Sequence, residues 1–369
     1  FPDLPPFPEN VPTAPLLRID LAKLLAHDAE EEERCWEACC DLGFFYLDLR
    51  APAPSEQAID GEALLRDADS LFTVMKSFFS LSVAEKLKYD FAAQGSYFGY
   101  KGYGAGFIDK AGTRDQNEFY NISKDDILSI SPPLPSPAVL NPHRALYAAY
   151  IHRCHAICTL LTSLLTSRLP LTPPAFAAGG LTALHPLSSA SGDQIRFVKA
   201  LPQAADQARV ALGEHTDFGS VTVLFNRLGG LQVRLPSSIS PVPPSVEPMA
   251  AAERALCADG WTYVRPLPGH AVVNLGDALV KFSGGRLRSN VHRVVGPPGQ
   301  QGKETRYSLV YFCRPGDEVR LRSLVESVGE GDEDGEGATA KEWILRRALQ
   351  RRKVDGWEKS GGTEGQSMR

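Results

Sequence analysis

From residue 194 onward the chain repeats one texture: QIRFVKAL (194–201), SVTVLF (220–225), GLQVRL (230–235), WTYVRPL (261–267), HAVVNLG (270–276), NVHRVV (290–295) and RYSLVYF (306–312). Each segment is short, rich in β-branched and aromatic residues, and bounded by Gly, Pro or Asp. Many short strands at near-even spacing predict a sandwich or barrel. The Pro/Ser/Ala-rich stretch 237–260 interrupts two of them and reads as a surface loop.

Upstream the period changes. FPDLPPFPENVPTAP (1–15) reads as an extended arm and LLRIDL (16–21) as a short strand. Residues 30–42 follow a helical pattern stopped by Gly43, and FFYLDL (44–49) alternates as a strand. Residues 59–81 and 143–169 read as amphipathic helices. The Gly/Tyr-rich loop 95–106 between them has the wrong glycine spacing for a dinucleotide fingerprint. Downstream, GEGDEDGEG (329–337) fails the pattern of a calcium loop and reads as a solvated linker. Residues 341–357 read as a basic amphipathic helix and 358–369 as a disordered tail.

Composition narrows the function. The 369 residues carry a net charge of −5 with no long basic run, which argues against a nucleic-acid surface. No stretch of about 18 strongly apolar residues is present to span a membrane. The seven cysteines include no Cys-x-x-Cys pair; Cys35/Cys39 and Cys154/Cys158 each share a helix face, and buried free thiols are the expected state. The Pro-rich start lacks the pattern of a signal peptide, and free thiols imply a reducing compartment, so a cytoplasmic setting is the expectation.

His215-Thr216-Asp217 lies where a loop meets SVTVLF, and residues two apart in extended chain point to one side. Alone this means little, since about half an occurrence of His-x-Asp is expected by chance. His292 in NVHRVV supplies a third candidate ligand. Two histidines and a carboxylate occupy one face of an octahedron and leave three positions open, as in non-haem Fe(II) oxygenases. Arg306 and Ser308 share a side of RYSLVYF, where a guanidinium fork and a hydroxyl suit a carboxylate. The remaining histidines (His27, His143, His152, His155, His185, His270) lack a partner at ligand spacing and are read as structural. Gly276 and Asp277 are read as a tight turn, and Asn274, Asn290 and Arg293 either support the ligands or make buried hydrogen bonds.

HTDFGSVTVLF, GGLQV, VVNLGD, NVHRVV and RYSLVYFCRP, in that order, resemble the Fe(II)/2-oxoglutarate-dependent dioxygenases of the isopenicillin N synthase-like superfamily, and its fungal members most. LLRIDL, ACCDLGFFYLDL, FFSLSVAEKLKY and NEFY resemble that family's helical leader, and ATAKEWILRRAL its closing helix. The resemblance implies a mainly β fold with flanking helices, its core a distorted double-stranded β-helix (jelly roll) at 188–316. A leader at 16–187 would wrap this core, and 317–357 would form the linker and closing helix. It implies His215, Asp217 and His292 as Fe(II) ligands and Arg306 and Ser308 as the anchor for 2-oxoglutarate. O2 is the second cosubstrate and a small organic molecule the substrate. Oxidative decarboxylation to succinate and CO2 would drive hydroxylation, desaturation or ring modification, with fungal secondary metabolism as the setting. Leu201 stands where the family usually has a tyrosine that assists the cosubstrate, so Arg196 or Lys199 is expected to substitute. Tyr100 and Phe312 are expected to touch the substrate, with Tyr97, Phe98 and Tyr103 at the pocket mouth. Three alternatives stay open: an oxidase of the isopenicillin N synthase type that needs no 2-oxoglutarate, a zinc hydrolase, and an inactive binding protein. Oligomeric state is not legible.

Overall fold

The computed structural model describes residues 3–50, 59–109, 111–203, 209–245, 249–326 and 337–350. The predicted tail and most of the acidic linker lie outside them.

Strands β1 (Arg18–Asp20), β2 (Phe44–Asp48), β3 (Gly99–Lys101), β4 (Asn117–Ser123), β5 (Gln194–Ala200), β6 (Val210–His215), β7 (Val221–Asn226), β8 (Leu231–Arg234), β9 (Trp261–Tyr263), β10 (His270–Leu275), β11 (His292–Val295) and β12 (Arg306–Cys313) form two sheets. The major sheet has the order β1-β2-β10-β7-β12-β5-β4-β3, and the minor sheet β6-β11-β8-β9. Strands β5 to β12 alternate between the sheets, except that β8 and β9 pair as neighbours in the minor one, in the pattern of a double-stranded β-helix. Within this core every sheet pairing is antiparallel. The upstream strands extend both edges of the major sheet, with β2 on β10 and β4 on β5.

Side-chain parity assigns the two faces of the major sheet. In β5, β7, β10 and β12 the odd residues, among them Phe197, Val223, Val273, Leu309 and Tyr311, join one apolar core with the helices Gly61–Phe79 and Arg144–Arg168. Their even neighbours Leu224, Val272 and Val310 turn inward against Leu231 and Val233 of the minor sheet. The inner face also carries the polar side chains of the site. Rigid paired strands thus fix its geometry.

Several expectations need correction. The 95–106 loop contains the edge strand β3. Gly276 and Asp277 open a helix, Asp277–Phe282, instead of closing a turn. The 237–260 insertion is no mere surface loop: it holds the helix Ala251–Ala255, and Met249, Leu256 and Cys257 pack against Val11, Tyr263 and Val295. All seven cysteines are free thiols, five of them buried. No helix among the described residues is long and apolar enough to cross a membrane.

Candidate metal centre

His215 ends β6 and His292 begins β11, and the antiparallel register sets them directly opposite each other. Their rings lie 4.1 Å apart, centroid to centroid. Asp217 follows in the loop from β6 to β7, and its Oδ1 is 3.9 Å from His292 Nε2. The ligating atoms of the three residues fall within 4.8 Å of one another, and among the described residues this is the one such cluster of His, Cys, Asp and Glu.

The surroundings orient each group. His215 Nδ1 lies 2.8 Å from the Gly213 carbonyl and His292 Nδ1 3.1 Å from that of Asn290, so each Nδ1–H donates to backbone. Nε2 is then the nitrogen each ring offers, the arrangement that fixes tautomer and aim in metal sites. Asp217 Oδ2 accepts 2.7 Å hydrogen bonds from Thr222 Oγ1 and Asn274 Nδ2, which turns Oδ1 toward the histidines. Burial alone would raise the Asp217 carboxyl; His292, Asn274, Thr222 and Arg196 outweigh it and hold the group ionised below its ordinary range. Two imidazoles and an ionised carboxylate on one side suit a divalent first-row metal.

A cavity of about 580 Å³, mouth included, runs from these residues to Arg306 and Ser308 between the sheets. Arg306 is 2% exposed, yet pairs with no carboxylate among the described residues. Its Nε donates to the Gly229 carbonyl (2.7 Å) and Nη1 to Ser308 Oγ (2.6 Å). Gly230 holds φ +101°, and a Cβ there would press on the Val295 carbonyl and crowd the guanidinium. Burial pushes the Arg306 guanidinium down to about 10, so it stays cationic at neutral pH.

A second cavity of about 970 Å³, also including its mouth, opens from the metal side. Phe107, Phe119, Phe312 and Phe218 line it, with Arg196 and the buried Lys101–Asp115 ion pair. Arg196 stacks between Phe119 and Phe312 (4.3 and 4.9 Å) and donates from Nε to Asn121 Oδ1 (2.7 Å). It borders both cavities.

Lys199 and Tyr100 do not reach either one. Lys199 is an odd residue of β5, faces the helices and pairs with Glu118 at 3.2 Å. Tyr100 is 1% exposed and donates to the same carboxylate at 2.6 Å. Both expected contacts are therefore corrected: pleat parity turns each side chain into the helical core. Tyr97 lines the second cavity, whereas Tyr103 is 42% exposed and bonds Gln116. Leu201 is 44% exposed beyond the end of β5. Arg293 stacks on Trp261, away from the metal residues. Thr222, Asn117, Phe119 and Asn121 were not singled out from sequence. A lone threonine on the inner parity of SVTVLF was the available signal for the first. The others needed the pairing of β4 with β5.

Comparison with known proteins gives the arrangement a family. Residues 192–315 match the 2OG-Fe(II) oxygenase superfamily, and residues 16–138 match the N-terminal region described as that of a non-haem dioxygenase in morphine synthesis. A 2-oxoglutarate-dependent dioxygenase of Aspergillus fumigatus is 33% identical over 325 residues, 86% of this chain and 80% of that one. The chain belongs to the 2OG-Fe(II) oxygenase superfamily. It is thereby an oxidoreductase of the dioxygenase class, with Fe(II) and 2-oxoglutarate as its cofactor and cosubstrate. A second oxygenase of this kind, from a Dothideomycetidae species, is 31% identical over 91% of this chain and 90% of its own. In fold, this oxygenase matches a full-length Neurospora crassa protein in complex with alpha-KG (TM-score 0.66, 23% identity, covering 90% of this chain and 94% of that one). It also matches JOX2 in complex with 2OG, Fe and JA (TM-score 0.63, 20% identity, 95% and 88%).

Proposed function

We propose that His215, Asp217 and His292 hold Fe(II), and that Arg306 with Ser308 takes the distal carboxylate of 2-oxoglutarate. The observation that carries this reading is Arg306: a guanidinium cationic at neutral pH, buried, unpaired with any carboxylate among the described residues, lining the same cavity as the metal residues. An uncompensated buried charge is costly, and a dicarboxylate spanning the cavity would neutralise it.

Bound iron supplies the redox chemistry that couples decarboxylation of 2-oxoglutarate to oxidation of the organic substrate, with O2 consumed and succinate and CO2 released. The protein does the positioning. Arg306 and Ser308 fix one end of the cosubstrate, while Thr222 and Asn274 keep Asp217 aimed at the metal. The aromatic walls of the second cavity hold a small organic molecule beside His215 and Asp217, and Arg196 marks the border between the two ligands. Hydroxylation, desaturation or ring modification then depends on which C–H bond this cavity presents. The fungal relatives support a role in fungal secondary metabolism. In this reading 16–187 is a leader that wraps the catalytic core 188–316, and 317–357 brings back a closing helix.

Succinate release with Fe(II), 2-oxoglutarate and O2, screened over candidate small molecules, tests the proposal. Release should require 2-oxoglutarate and vanish in His292→Ala. Substrate oxidation without a 2-oxoglutarate requirement would instead place the enzyme with the isopenicillin N synthase type.

A further inference from the structure

The middle residue of His215-Thr216-Asp217 points away from the metal side, and what it meets comes from the far end of the described chain. Thr216 is fully buried, and its Oγ1 donates to Asp277 Oδ2 at 2.9 Å. Asp277 also holds the next residue, its backbone N–H donating to the Asp217 carbonyl at 2.9 Å. The Asp277 carboxylate is 0% exposed and is paired by Arg347, from the helix Ala340–Gln350. Arg347 Nη2 lies 3.4 Å from Thr216 Oγ1, and its guanidinium stacks on Phe218 at 4.3 Å. Trp343, one turn earlier, donates from Nε1 to the Phe218 carbonyl at 3.3 Å. The helix therefore grips the residues on both sides of Asp217, and Ala348 reaches the wall of the second cavity.

We propose that this helix is a splint for the metal loop, with Arg347 and Trp343 as positioning residues that set metal affinity. The proposal rests on the metal reading above. The loop that carries Asp217, directly after His215, has no sheet partner at Thr216–Gly219. Its geometry is set by the opening turn of the helix Asp277–Phe282 in front and by Arg347 behind. Without Arg347 the buried Asp277 carboxylate loses its guanidinium partner, and its hold on Thr216 loosens. By linkage, if the docked helix favours metal binding, bound metal must favour docking of the helix by the same factor.

The test uses the full chain and Mn(II), whose room-temperature EPR signal reports the free ion, together with amide exchange over the helix from Ala340. Wild type should bind one Mn(II), and His292→Ala should weaken binding at least 100-fold; failure of either overturns the metal reading and this inference with it. Given that control, Arg347→Met should raise the Mn(II) dissociation constant about tenfold, as other residues supporting metal ligands do. Arg347→Lys should fall between, since an ammonium can pair with Asp277 but cannot stack on Phe218. Mn(II) should slow exchange in the helix in wild type and not in Arg347→Met. Glu118→Gln, which breaks a buried ion-pair cluster on the outer face of the sheet, controls for lost stability and should leave Mn(II) affinity unchanged. If Arg347→Met does not fold, Trp343→Phe, which removes one hydrogen bond, should still weaken Mn(II) about threefold. Wild-type affinity in a folded Arg347→Met, or a loss equalled by Glu118→Gln, would overturn the splint.

Discussion

Arg306 and Lys199 are both basic residues on paired strands of one sheet, and pleat parity gives them opposite fates. Arg306 turns into the cavity and Lys199 into the helical core, where it meets Glu118. Replacing Arg306 by Ala should cut 2-oxoglutarate affinity by about 10- to 100-fold, the value of a charge-assisted bidentate contact, with Lys recovering part of it. Ser308→Ala should cost roughly 1 kcal/mol, and Lys199→Met nothing, in a 2-oxoglutarate titration read by succinate. A large effect of Lys199→Met would mean that the two faces are misassigned. Thr222→Val deletes one of two hydrogen bonds that aim Asp217, and metal titration should show about a tenfold loss. The ligands themselves were legible because they recur in ordered motifs. Asn121 was not, because its role depends on the pairing of β4 with β5, and Thr222 offered only its place on the inner face of SVTVLF.

Among elements, the loop from β6 to β7 is the least self-sufficient. Gly276 sits so close to it that a Cβ would strike the Gly219 carbonyl and touch that of Asp217 at 3.0 Å, although its φ of −110° would suit any residue. Gly276→Ala should therefore act through space and not through backbone freedom. It should cost on the order of 2 kcal/mol in denaturant unfolding of the metal-free protein and weaken metal binding as well. Normal metal affinity in that variant would show that the loop has room to give. NLGD reads locally as a turn, and only packing against Gly219 and Thr216 makes it a helix start. The long helices and most strands were legible from period, since 61–79 and 144–168 each bury one long side, whereas the short helices were not. β3 was hidden because three residues at a sheet edge carry too little pattern.

Across the whole molecule, buried histidines tie stability to pH. His185 and His155 are held below their ordinary 6.5, mainly by burial. His185 takes a 2.6 Å hydrogen bond from Ser220 at its Nε2, and its ring is neutral in the folded state. Above pH 6.5 neither state binds these protons, and the full stability is present. As pH falls below 6.5, the unfolded chain protonates first, and stability drops by up to about 1.4 kcal/mol per pH unit for each histidine until the depressed folded values are passed. The urea midpoint of metal-free protein should be lower at pH 5.5 than at 7.5, and His185→Asn should shrink the difference; an unchanged difference would rule His185 out as a source. The sheet order has a separate consequence, for biosynthesis. β2 (44–48) completes its ladder only against β10 (270–275), so the segment FFYLD leaves the ribosome more than 200 residues before its antiparallel partner exists. At about 5–20 residues per second that is a wait of roughly 10–45 s with one edge of an aromatic strand unpaired. Nascent chains stalled before residue 270 should bind holdase chaperones through this segment, and chains stalled well past 313, with β10 and β12 clear of the exit tunnel, should release them.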